Sequence, residues 1–121
     1  MASAVSQLLI ALLVVCMGCG PITAASKISD ASAELVKAQK LEAPKYAPFE
    51  YQGAFLYLEK AREEEGYSYY QDAVDLASKA FTLAADAQRQ AQLRKAEIEA
   101  EARKAKEEAE SDSDQEAEQA K

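Results

Sequence analysis

The sequence predicts an all-α protein: a small bundle of three helices, the third prolonged into a charged arm. Apolar residues recur at steps of three and four, the period of one helix face. Ala73, Ala77, Ala80, Ala84, Ala87 and Ala91 alternate steps of four and three without a miss, a heptad seam of small residues that lets helices approach closely. Pro44, Pro48 and Gly66 punctuate the pattern at two places and so divide it into three segments.

The first helix is expected over residues 24–41, with Ile28, Ala31, Leu35 and Ala38 on its apolar face. It should stop before Ala43 and Pro44, because proline pushes its predecessor out of the helical region. Residues 45–48 then read as a turn. Pro48 suits the first position of the second helix, where a missing N–H costs nothing, and Tyr51, Ala54, Phe55, Leu58 and Ala61 form that helix's stripe. Glu63, Glu64 and Glu65 precede Gly66, a glycine suited to the left-handed position after a helix, and Ser68 with Gln71 has capping-box spacing for a third helix starting near Tyr69. Beyond Ala91 the seam positions become Arg94, Ile98 and Glu101, so packing should cease there. Residues 92–110 are nearly all Ala, Glu, Lys, Arg and Gln. Their i,i+4 pairs, among them Lys95/Glu99, Arg103/Glu107 and Lys106/Glu110, predict a solvated single helix. Residues 111–121 have no apolar side chain beyond alanine and are expected to be disordered.

The N-terminal segment has a different character. Residues 8–17 are apolar without a break, which fits the hydrophobic part of a secretory signal and falls short of the roughly 20 residues a membrane-spanning helix needs. Gly18 then offers a small side chain ahead of a cut, and Cys19 a thiolate for acylation. This resembles a bacterial lipobox, although Cys16 stands where leucine is usual and residues 1–7 lack Lys and Arg. The expected organisation is a lipoprotein signal over 1–18, a lipidated tether over 19–26, a helical domain over 27–91, the arm over 92–110 and the tail over 111–121. Both cysteines lie in this first segment, so the rest of the chain forms no disulfide, and acylation accounts for an otherwise unpaired secreted thiol. By resemblance to sorted lipoproteins, Gly20 after the cysteine implies the periplasmic face of the outer membrane.

Composition narrows the chemistry. A net charge of −7 leaves no basic patch for phosphate neutralisation, which argues against a nucleic-acid partner. With no histidine and no cysteine after Cys19, most catalytic and zinc constellations cannot be assembled, so the expectation is a protein that is not an enzyme, with no catalytic residue, no metal and no cofactor. The acidic cluster of Glu63, Glu64, Glu65, Asp72 and Asp75 lacks the alternating oxygen spacing of a calcium loop and reads as a solvated face.

Ala38, then Tyr46-Ala47-Pro48, then Ala54, Leu58 and Ala61, then Tyr70, Ala73, Ala77 and Ala80 together resemble a family of short, alanine-rich envelope lipoproteins of Gram-negative bacteria known only as a domain of unknown function. The likeness covers residues 26–91 and implies a cell-envelope protein with no activity to carry over. It also implies a partner in the envelope, either a protein or something associated with peptidoglycan. Ala61, Tyr70, Ala73 and Ala80 further resemble one tetratricopeptide hairpin, to which the N-terminal helix would supply the missing cover.

Two functions of different class follow. In the leading one the chain is a lipid-anchored, non-enzymatic scaffold or adaptor: Cys19 fixes its position, the bundle docks on a partner or on a second copy through Ala73, Ala77, Ala80 and Ala84, and the arm sets the reach. In the other it is a glycan- or peptide-binding module whose platform is Tyr51, Tyr57 and Tyr70, since tyrosine offers apolar area plus a hydroxyl. All aromatic residues but Phe81 fall between Tyr46 and Tyr70, and the competing reading makes them core filler around an alanine seam.

Overall fold

The structure, a computed structural model, describes residues 19–119, with side chains described over 20–111. The expected signal segment over 1–18 and the last two residues of the expected tail lie outside the described residues. Within them the chain is all-helical: α1 (Cys19–Lys40), α2 (Ala43–Tyr46), α3 (Pro48–Gly66) and α4 (Tyr70–Gln119).

Helix α1 begins five residues before the expected start at Ala24, so no separate tether occupies 19–26. Pro21 is no obstacle, because the first-turn N–H groups have no intrahelical partner in any case. Gly20 lies against Tyr70, where an added Cβ would stand 3.3 Å from the ring, and Ala24 is completely buried. Packing thus extends the helix past the point where the apolar period fades.

The first break falls on Glu42, not on Ala43. Glu42 adopts the left-handed conformation (φ 59°, ψ 29°) and its N–H donates to the Gln39 carbonyl at 3.0 Å. Ala43 is helical in spite of Pro44 because Ala43 and Ala47 are buried against Ala38, Ala87 and Ala91. Of the expected turn over 45–48, Lys45 and Tyr46 close the short helix, Ala47 alone is the break, and Pro48 opens α3 as expected.

At the second break Gly66 is the last residue of α3, and Ser68, not Gly66, takes the left-handed position (φ 66°). Ser68 N–H donates to the Glu65 carbonyl at 3.0 Å and Tyr69 N–H to the Glu64 carbonyl at 2.9 Å, the paired bonds of a Schellman turn. Ser68 is thus the residue that stops α3 rather than the expected cap of α4. A serine in this region is strained, whereas glycine pays no Cβ penalty there. Ser68→Gly should stabilise the fold by about 1 kcal/mol, read as a higher urea midpoint. Gly66→Ala should also raise the midpoint, since Gly66 is helical with nothing within 4 Å of an added Cβ. A lower midpoint for Gly66→Ala would place the left-handed residue at 66 instead.

Helix α4 is the spine. Gln88 on α4 bonds Glu34 on α1, and Lys95 bonds Glu42 further along, so α1 and α4 run parallel. Arg62 reaches Ser32, and Gly53 approaches Leu83, so α3 runs antiparallel to both. Helix α4 packs along α1 and α3, which touch each other less. All six seam alanines are at most 1% exposed and meet Ala24, Ile28, Ala31 and Leu35 of α1, Ala54, Leu58 and Ala61 of α3, and the alanines around α2. Tyr51 packs on both parts of this core. Every residue over 92–111 is exposed, as the charged seam positions require. The backbone is helical to Gln119, where the sequence predicts a disordered tail from 111. No proline or glycine interrupts 92–119, and extending an existing helix needs no new nucleus.

Candidate functional site

The residues expected to form a docking face are already occupied. Ala73, Ala77 and Ala84 have no exposed surface and Ala80 has 1%, because α1 and α3 cover the seam within the same chain. A partner could reach those alanines only by displacing a helix. The expected docking of the seam on a partner or second copy is therefore corrected: the seam holds this bundle together.

The three expected platform tyrosines do not converge either. Tyr51 is half-buried between the two parts of the core, and Tyr70 is half-buried against Gly20 at the end where α1 begins. Tyr57 is 38% exposed midway along α3, with Lys79 Nζ 5.8 Å from its ring centre and Thr82 and Leu83 beside it. From Lys79 back to Tyr70 is nine residues of α4, roughly 14 Å along the axis, so one small ligand cannot engage Tyr57 and Tyr70 together. Tyr51 and Tyr70 are partly core, as the filler reading holds.

Three surface arrangements stand out among the described residues. The first is a polar clasp where α1 and α2 meet α4: Lys95 Nζ donates to Glu42 Oε2 at 2.7 Å and sits 6.0 Å from the Tyr46 ring centre, with Lys45 Nζ 4.8 Å from the same ring. Lys95, expected opposite Glu99 in the arm, thus reaches back to the body. The hydrogen bond from Lys95 holds the Glu42 carboxyl below the usual carboxylate range and raises Lys95 in turn. Nearby, Gln88 donates to the backbone and side chain of Glu34, at 3.1 and 2.8 Å. Hydrogen bonds from Lys37 and Gln88 lower Glu34 as well. Both carboxylates favour the fold at neutral pH, a contribution lost as pH falls through their lowered folded-state values. Exposed pairs of this kind pin the helix register more than they stabilise it.

The second is a shallow groove of about 620 Å³ between α1 and α3, lined by Ala25, Ile28, Ser32, Val36, Lys40 and Arg62 among others. It follows from the sparse α1–α3 contact and holds no convergent set of reactive groups. The third is the end of the bundle where α1 begins, which exposes Ile22 and a tilted pair of rings, Tyr67 and Tyr69, with centres 6.4 Å apart. Sequence reasoning missed Ile22 because it fell in the supposed tether, although an isoleucine in a polar linker was itself a signal.

The acidic cluster is partly paired: Lys60 bridges Glu63 and Glu64 at 3.1 and 3.0 Å, and Gln71 bonds Asp75 at 3.2 Å. Among the described residues no three His, Cys, Asp or Glu side chains are grouped to hold a metal ion, and no helix is long and apolar enough to cross a membrane. The backbone of Cys19 is the first residue of α1, at the same end of the bundle as Tyr70. No protein-family model, curated protein or solved structure matches this chain.

Proposed function

We propose that this chain is a lipid-anchored protein of the periplasmic face of the outer membrane, acting as a non-enzymatic scaffold or adaptor. The observation that supports this most is the course of α4. Its first half is fully used in the bundle, and the helix then leaves the body with every side chain over 92–111 in water. Residues 92–119 extend about 40 Å beyond the last buried alanine. A long helix with nothing to bury within its own chain is a spacer or an arm, and the opposite end of the molecule starts at the cysteine that follows the apolar segment.

In this reading Cys19 carries the acyl chains, the bundle is a stable base whose α3–α4 pair follows the tetratricopeptide-like hairpin, and the arm meets an envelope protein or a peptidoglycan-associated partner. Acyl anchoring gains about 0.8 kcal/mol per buried methylene, so a diacylated cysteine holds a small domain firmly on a bilayer. Cys19→Ser should move the protein from the membrane fraction of its host to the soluble one. A photo-crosslinker at Ile98 should capture an envelope neighbour that the same group at Phe49, on the body, does not. Retention of Cys19→Ser on membranes after a salt wash would refute the anchor, and equal capture from both positions would refute the arm's role.

A further inference from the structure

We propose that the end of the bundle where α1 begins seats on the surface of a zwitterionic bilayer through Ile22, Tyr67 and Tyr69. This rests on the anchoring reading above and extends it, because an acyl chain alone leaves the body free to tumble about its attachment. Ile22 is 73% exposed, Tyr67 65% and Tyr69 59%, and these three side chains share one end of the molecule. Tyr70 lies against Gly20 there, and α3 ends there at Gly66, so the start of α1 and the α3–α4 turn share that end. The occupant follows from where the described chain begins: Cys19, the residue acylated in the anchoring reading, opens α1 at this end, one turn before Ile22. Tyrosine suits the headgroup level of a bilayer, with its ring toward the acyl boundary and its hydroxyl in water.

Charge selects the lipid. Glu63, Glu64, Glu65 and Asp72 all lie within a turn or so of this end; among the described residues Lys60 pairs with Glu63 and Glu64, and Arg62 with Glu59, which leaves the acidic groups in excess. Lysine- and arginine-rich faces attract anionic leaflets, and this face has the opposite sign. A phosphatidylethanolamine or phosphatidylcholine surface accepts this end, whereas an anionic one opposes it. Because α4 starts at the same end and runs parallel to α1, seating directs the arm away from the membrane.

The sequence has no tryptophan, so each single substitution to it gives one reporter. The acylated protein, purified from its host and carrying Tyr69→Trp, Tyr67→Trp or Phe49→Trp, the last at the opposite end of α3, is reconstituted on phosphatidylcholine and phosphatidylethanolamine vesicles containing a shallow nitroxide-labelled lipid. The expected result is severalfold stronger quenching and blue-shifted emission for Tyr69→Trp and Tyr67→Trp relative to Phe49→Trp. Protein that floats with the vesicles yet shows equal quenching at all three positions overturns the seat and leaves the anchor intact. Protein that does not float removes the anchor and the seat together. Adding phosphatidylglycerol should weaken quenching at 67 and 69, and stronger quenching would overturn the zwitterionic assignment.

Discussion

Leu58→Ala is expected to lower the unfolding free energy by about 2–5 kcal/mol, toward the upper end of that range. Leu58 is the one large side chain fully buried among the described residues. The cost of such a truncation depends on how well its surroundings collapse into the space left behind. Much of the surrounding core is alanine, from Ala54 and Ala61 on its own helix to Ala73, Ala77 and Ala80 on α4. A methyl group has no rotamers with which to fill a cavity, so only helix movement can close it. For a helical body of this size a loss of 2 kcal/mol is roughly a 10 °C fall in the melting midpoint. Circular dichroism must separate two signals, since the arm melts gradually as a single helix while the body melts cooperatively. The shift is expected in the cooperative step alone. A fall of less than about 1 kcal/mol would mean that Leu58 is not enclosed as the structure has it.

The heptad of alanines was readable because a run at alternating four and three steps has one interpretation, and all six members are buried. The point at which burial ends was readable too, since Arg94 and Glu101 cannot enter a core made of methyl groups. What that seam meets was not readable. A small-residue face looks the same whether its partner is another chain or two helices of its own, and only the packing of α1 and α3 decides it. The two turns were misplaced by one or two residues for a related reason. Glycine and proline mark where the backbone is permitted to turn, whereas buried Ala43 and the paired bonds after Glu64 decide where it does. The tyrosines were an ambiguous set from the outset. Tyr51 of α3 and Tyr70 of α4 pack half-buried against the core, and the pair in the turn, Tyr67 and Tyr69, stayed outside.

Ala80→Leu tests the other half of the packing and separates the two meanings of the seam. Ala80 is 1% exposed in the middle of the alanine seam, where α1 and α3 both approach α4. Alanine-lined contacts place helix axes at the short end of the usual range of about 8–10 Å, and a larger side chain there must push a helix outward. Overpacking of this kind typically costs about 1–3 kcal/mol, and this site has little room to adjust because the same residue faces two neighbours. The isolated protein should therefore lose some 5–15 °C in its cooperative melt, by about 4–8 °C per kcal/mol. Ala100→Leu, on the exposed arm, should shift the same melt by less than about 0.5 kcal/mol. If the seam were instead an open face awaiting a partner, Ala80→Leu would leave the monomer's melt unchanged and weaken only its association, by sedimentation or cross-linking. The intrachain packing requires the first outcome at concentrations where the chain is monomeric, with no dependence of the midpoint on concentration.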